Sequence, residues 1–197
     1  MRVEDLIQKA EDYKELEILK ERCSSFIQQS GGLPLLKNLS SRYGDFHKVK
    51  IRKRKAENNI DEMFDGAFNE EHHELRKRAL FAYGQTSFEP LDEEIDKQEP
   101  FYIFPIDGYK FMYSQEVENS NEDYQQVFEI VIDHFGEQKG QEVLTDLLKF
   151  TYCHENLEHG ISSGAEILIY NIPFFYAIRA TTVEDYNELL TAIRDLD

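Results

Sequence analysis

Tryptophan is absent, and cysteine nearly so: Cys23 and Cys153 are the 2 in a chain of 197 residues. Neither sits in a metal or redox spacing. That excludes a disulfide framework and a cysteine-rich zinc site, and it fits a reduced, cytosolic (cytoplasmic) protein. Long hydrophobic runs are missing, so no transmembrane helix is expected. The opening MRVEDLIQKAEDYK carries charges where the apolar core of a secretory leader would lie, so no leader is expected either. Positive charge is scarce as well. Lys and Arg number 22 against 39 Asp and Glu, for a net charge of −17. A field of that sign repels nucleic acid and anionic membrane; such a surface is usually a solubility feature, and less often it mimics DNA and occupies a nucleic-acid-binding partner. No Rossmann or P-loop glycine fingerprint occurs, and no Ser-His-Asp spacing stands out.

The chain does have the makings of a core. It is 41% hydrophobic and 13% aromatic, which places it among globular proteins of one domain rather than disordered ones. Its 11 Tyr and 14 Phe point to a sheet-rich interior. The charges are segregated: residues 41–55 hold seven bases and one acid, and residues 116–146 hold nine acids and one base.

The spacing of Val3, Leu6, Ala10, Tyr13, Leu16, Leu19, Cys23 and Phe26 predicts one helix over 3–27, ended by Ser30-Gly31-Gly32. Pro34 opens a short turn or helix to Leu39. Phe46 to Arg54 reads as a strand. His47, Val49 and Ile51 face one way, and Lys48, Lys50, Arg52 and Arg54 the other. Its basic face is either an edge that charge protects from pairing or a phosphate site in which arginine is the better fork. Asn58 and Asn59 cap a helix carrying Ile60, Met63, Phe64, Ala67 and Phe68. His72 and His73 are adjacent and diverge, so no metal is expected there. Ala79 to Tyr83 is a short apolar strand stopped by Gly84. Residues 89–100 read as an exposed acidic loop. Phe101–Ile106 and Tyr109–Tyr113 flank a tight Asp107-Gly108 turn, and together they read as a strand pair. Helices are expected over 122–135 and 141–152, with a short one over 156–161. Two more strands fill 167–179, and Thr182 caps a last helix. The expected class is α+β: small mixed or antiparallel sheets flanked by helices, with an N-terminal helical extension over 1–40 and a domain over 41–197.

Glu166 stands out. It is the only side chain charged at neutral pH between Gly164 and Arg179, and the non-alternating Ile167-Leu168-Ile169-Tyr170 that follows reads as a strand buried on both faces. A carboxylate at the mouth of such a strand either sits in water at the strand end or has a partner or a task.

A basic strand with an arginine, a strand ending in small polar residues, and a strand that starts after a glutamate together resemble the Arg–Ser/Thr–Glu layout of the ADP-ribosyltransferase fold. GAEILIYNIPFFYAI (164–178) is similar to that family's glutamate strand and following hairpin, and FYIFPIDGYKFMYS (101–114) to its middle strand. The whole, over about residues 46–180, also resembles small proteins encoded by tailed phages. The resemblance implies NAD as substrate and transfer of ADP-ribose to a host macromolecule. Glu166 would then stabilise positive charge on the ribose. Arg52 or Arg54 would hold phosphate or ribose. Thr86 or Ser87 would supply the hydroxyl, and Tyr83 or Phe104 would stack on nicotinamide. The position two residues before the glutamate is Gly164, so the resemblance does not extend to arginine modification. The competing reading is a non-enzymatic acidic interaction protein, an inhibitor of a host protein or a virion component. A basic-strand nucleic-acid binder is opposed by the overall charge.

Overall fold

The computed structural model describes residues 3–53, 59–68, 75–84, 97–116, 120–183 and 185–196, and the structural statements below concern these. The fold is α+β. In chain order the helices are α1 (Val3–Arg22), α2 (Ser24–Gln29), α3 (Asn59–Phe68), α4 (Ser120–Phe135), α5 (Glu137–Thr151), α6 (Leu157–Ser162) and α7 (Tyr186–Arg194). The strands are β1 (Leu35–Ser40), β2 (Phe46–Lys50), β3 (Leu80–Gly84), β4 (Gln98–Pro105), β5 (Lys110–Tyr113), β6 (Glu166–Tyr170) and β7 (Phe174–Arg179). All pairings among them are antiparallel, in the order β2-β7-β4-β1-β3-β6-β5.

That order cannot lie flat. β4 and β5 are four places apart, as are β6 and β7. A flat sheet would separate each pair by roughly 19 Å, four steps of about 4.8 Å. Yet the Tyr109 N–H donates to the Ile106 carbonyl at 3.3 Å, closing a β-turn between β4 and β5, and such a turn keeps its ends within about 7 Å. Residues 171–173 alone join β6 to β7. The sheet is therefore folded over, with β2-β7-β4-β1 facing β3-β6-β5. The fold line is the β1–β3 junction, where two residue pairs are in register, Leu35 with Gly84 and Leu36 with Tyr83. Just past them Lys37 Nζ donates to the Phe81 carbonyl at 2.8 Å, so a side chain takes up an acceptor where the ladder has opened. The two crossing turns touch: Asn171, in left-handed conformation with φ 66°, donates through Nδ2 to the Gly108 carbonyl at 3.0 Å.

Two buried clusters follow from strand alternation. Leu80, Ala82, Ile167 and Ile169 join Phe101, Ile103, Phe175 and Ala177, together with Phe26, Leu190 and Ile193 of α2 and α7. On the other face Phe81, Leu168 and Tyr170 pack with Ile60, Phe64, Leu144 and Leu148 of α3 and α5. Every residue of β6 is buried, as the unbroken apolar run predicts. Truncating one of these residues, Leu168→Ala for instance, costs about 2–5 kcal/mol.

Several sequence expectations are corrected here. Residues 35–40 form an internal strand, not a turn or helix; they pair with β4 over five residues, from Leu36–Tyr102 to Ser40–Gln98. The first helix breaks at Cys23 because Asp107 binds the start of α2. Its carboxylate accepts from Ser24 Oγ at 2.9 Å and from the Ser25 N–H at 2.8 Å. The Asp107-Gly108 turn forms, but the strands around it do not pair with each other, and neither do β6 and β7. β4 begins at Gln98, inside the segment expected to be a loop. β2 is an edge strand that ends at Lys50, with Lys48 and Lys50 exposed and Val49 buried.

Candidate functional site

The site starts at a turn of small residues. Ser163 Oγ donates to the Gly160 carbonyl at 2.8 Å, and Gly164 takes the left-handed conformation at φ 82° that a side chain would resist. The chain leaves this turn as β6, with Glu166 as its first residue. Glu166 lies directly opposite Tyr83 in the β3–β6 ladder. It is 7% exposed, and the Tyr83 hydroxyl donates to its Oε1 at 2.6 Å. Of the two readings of Glu166, a strand-end residue in water or a buried group with a partner, the second is the observed one. A hydrogen bond of this length to a carboxylate is charge-assisted and fixes the carboxylate rotamer.

Alternation sets what this pair faces. Tyr83 shares its side of β3 with Phe81, and Glu166 shares its side of β6 with Leu168 and Tyr170. All three of those neighbours belong to the cluster under α3 and α5. On that side lies an arginine the sequence reading did not single out. Arg76 is buried, ion-paired to Asp61 at 3.2 Å, with its guanidinium 5.2 Å from the ring centroids of both Phe64 and Phe81. Phe81 and Tyr83 are one strand repeat apart, about 6.6 Å. Asp61, Arg76 and Glu166 are the buried charged residues among those described. Nothing in Leu75-Arg76-Lys77-Arg78 distinguishes Arg76 from its neighbours, so only the packing identifies it.

The expected arginine lies elsewhere. The Ile51 N–H donates to the Pro173 carbonyl at 3.0 Å, which places Arg52, exposed, beside the turn that leaves β6. Glu166 is at the opposite end of that strand, four residues or roughly 13 Å away. Tyr83 and Glu166 are thus brought together, and Arg52 is not brought to them. Arg54, Thr86 and Ser87 lie outside the described residues, as do His72 and His73. Phe104 is fully buried, edge-on to Phe26 at 5.9 Å and against Tyr186 at 6.2 Å, so it offers no face to a ligand.

A comparison with protein families, with curated proteins and with solved structures finds no match to this chain.

The geometry defines a limited chemistry. A buried carboxylate held by a phenol donor can stabilise positive charge that develops beside it, or accept a proton from a bound hydroxyl. Among the described residues, no group of three His, Cys, Asp or Glu is arranged to hold a metal ion.

Proposed function

We propose that the chain cleaves the nicotinamide–ribose bond of NAD at Glu166 and transfers ADP-ribose to a protein or other macromolecule. The observation that carries this reading is the 2.6 Å bond from the Tyr83 hydroxyl to Glu166, made on adjacent strands at the entrance of β6. Departure of nicotinamide leaves oxocarbenium character on the ribose. A carboxylate already oriented and largely withdrawn from water stabilises that charge without reorganising. Tyr83 acts as the positioning residue, because its hydroxyl is spent on the carboxylate. Arg52 has no part at Glu166 in this scheme, and a phosphate contact there would need a ligand that spans the length of β6. The test is release of nicotinamide from NAD by the wild type and by Glu166→Gln, which keeps the shape and removes the charge. A rate lost at least a hundredfold with unchanged melting supports the reading. Equal rates, or no release by either protein, overturn it.

A second reading rests on a different observation. Ile130 and Phe150 are 70% and 85% exposed on the outer stripes of α4 and α5, among Glu129, Asp133, Glu142 and Asp146. Large apolar side chains in an acidic field suit a basic protein partner with apolar pockets. Capture of such a partner by the wild type and by Glu166→Gln alike, but not by Ile130→Ser/Phe150→Ser, would favour this interaction protein over the transferase.

A further inference from the structure

A cavity of about 430 Å³ opens where α1 and α2 meet α7, lined by Lys20, Ser24, Ile27, Gln28, Ile193 and Arg194. It lies in the helical layer that packs with Phe104 and Tyr186, on the other side of the folded sheet from the cluster that Glu166 faces. Its floor is apolar, since Ile27 and Ile193 are both buried, and its rim is polar and exposed. The lining residues bring two positive charges and no acid, in a chain of net charge −17. The volume lies within the roughly 300–1,000 Å³ of small-molecule sites.

Both cations are tethered rather than used up. Lys20 Nζ donates to the Leu196 carbonyl, and Arg194 Nη2 donates to the Ile27 carbonyl at 3.2 Å. An ammonium carries three donors and a guanidinium five, so each keeps donors for a ligand while its tether limits the rotamers it can lose on binding. The Ser24 hydroxyl is committed as a donor to Asp107 and can only accept. Gln28 adds an amide. A cation would meet like charge here, a bare inorganic anion would leave the isoleucine floor in water, and a neutral hydrocarbon would ignore the rim.

We propose that this cavity binds a small organic anion: a carboxylate with a short apolar chain, its headgroup at Lys20 and Arg194 and its chain on Ile27 and Ile193. Such a ligand would bridge α2 and α7 and raise the melting temperature by mass action.

The experiment is calorimetric titration of the whole chain with octanoate, with octanol as the uncharged control. Saturable 1:1 binding of octanoate is expected, weaker at high salt, with octanol at least tenfold poorer. Lys20→Gln and Arg194→Gln should each weaken octanoate roughly tenfold, the value of one charge-assisted contact at a part-exposed site. Arg194 also ties α7 to α2, so Lys20→Gln, at an exposed position, decides the matter if Arg194→Gln fails to fold. Absence of saturable binding at millimolar octanoate overturns the proposal. So does equal affinity for octanol, and so does an affinity unchanged in Lys20→Gln.

Discussion

Gly84→Ala is the smallest change that tests how the Glu166 site is held. Gly84 ends β3 next to Tyr83, and α6 packs directly on it. A Cβ built at Gly84 would lie 2.1 Å from the Ile161 carbonyl oxygen and 3.1 Å from its carbonyl carbon. Both are backbone atoms, so no rotamer change relieves the contact. Restoring ordinary contact means widening the gap from 2.1 Å to at least 3.4 Å, so α6 must back away by more than 1 Å. Overpacking that displaces backbone in a closed core costs about 1–3 kcal/mol, or more where the element cannot move. α6 is held at its start from another strand, where the Tyr113 hydroxyl of β5 donates to the Glu155 carbonyl at 3.1 Å, so the upper part of that range is expected. For a chain of this size about 3 kcal/mol is a fall of roughly 6–12 °C in Tm. Gly66→Ala is the matched control. Gly66 lies within α3 and a Cβ there meets nothing within 4 Å, so the same chemical change should stabilise by about 0.5–1 kcal/mol. Urea unfolding of the three proteins gives both differences. A Gly84→Ala variant within 0.5 kcal/mol of wild type would refute the packing of α6 on β3.

Other expectations follow from the same packing. Arg76→Met removes the guanidinium from an ion pair whose Asp61 side chain is 8% exposed and should cost about 3–5 kcal/mol, whereas Asp61→Leu/Arg76→Met together should cost less; a single variant within 1 kcal/mol of wild type in urea would count against the buried pair. The Tyr186 hydroxyl is buried with no hydrogen-bond partner among the described residues, so Tyr186→Phe should be neutral or gain up to about 1 kcal/mol at pH 7. Burial also raises the Tyr186 and Tyr109 phenols above their ordinary value of 10 and pushes Tyr113 up to about 12. A raised phenol pKa means stability that is complete below pH 10 and is lost as pH climbs through the folded value. The wild type should therefore lose stability steeply above pH 10, and Tyr186→Phe less steeply, in denaturation followed at pH 9 to 12.

How much of this was legible depends on whether a residue's environment is local. α3 and α5 announce themselves through apolar residues three and four apart, and β6 through four consecutive β-formers, because burial on one stripe or on both faces writes itself into adjacent residues. The break at Cys23 does not, since its cause is Asp107, far along the chain. β1 does not either: Leu35-Leu36-Lys37-Asn38-Leu39 carries no alternation, and it becomes a strand because β4 and β3 lie on either side of it. The two crossing turns look like hairpin turns in sequence, and only the strand order shows that they bridge the halves of a folded sheet. At the site, the buried strand makes Glu166 visible in the sequence, while Tyr83, expected there as a ring to stack on nicotinamide, is paired with Glu166 only by the register. Basic alternation in 46–54 draws attention to Arg52, and its described part includes β2, an edge strand with Lys48 and Lys50 exposed. Arg76 was hidden because burial of a single charged residue leaves no period.

The central claim is that Glu166 belongs to a site for NAD, and the most direct measurement is calorimetric titration of NAD into the wild type and into Glu166→Gln. The account predicts saturable binding to both with similar affinity, because the carboxylate acts on charge that appears only as nicotinamide leaves. Absence of binding to the wild-type chain at millimolar NAD would contradict it.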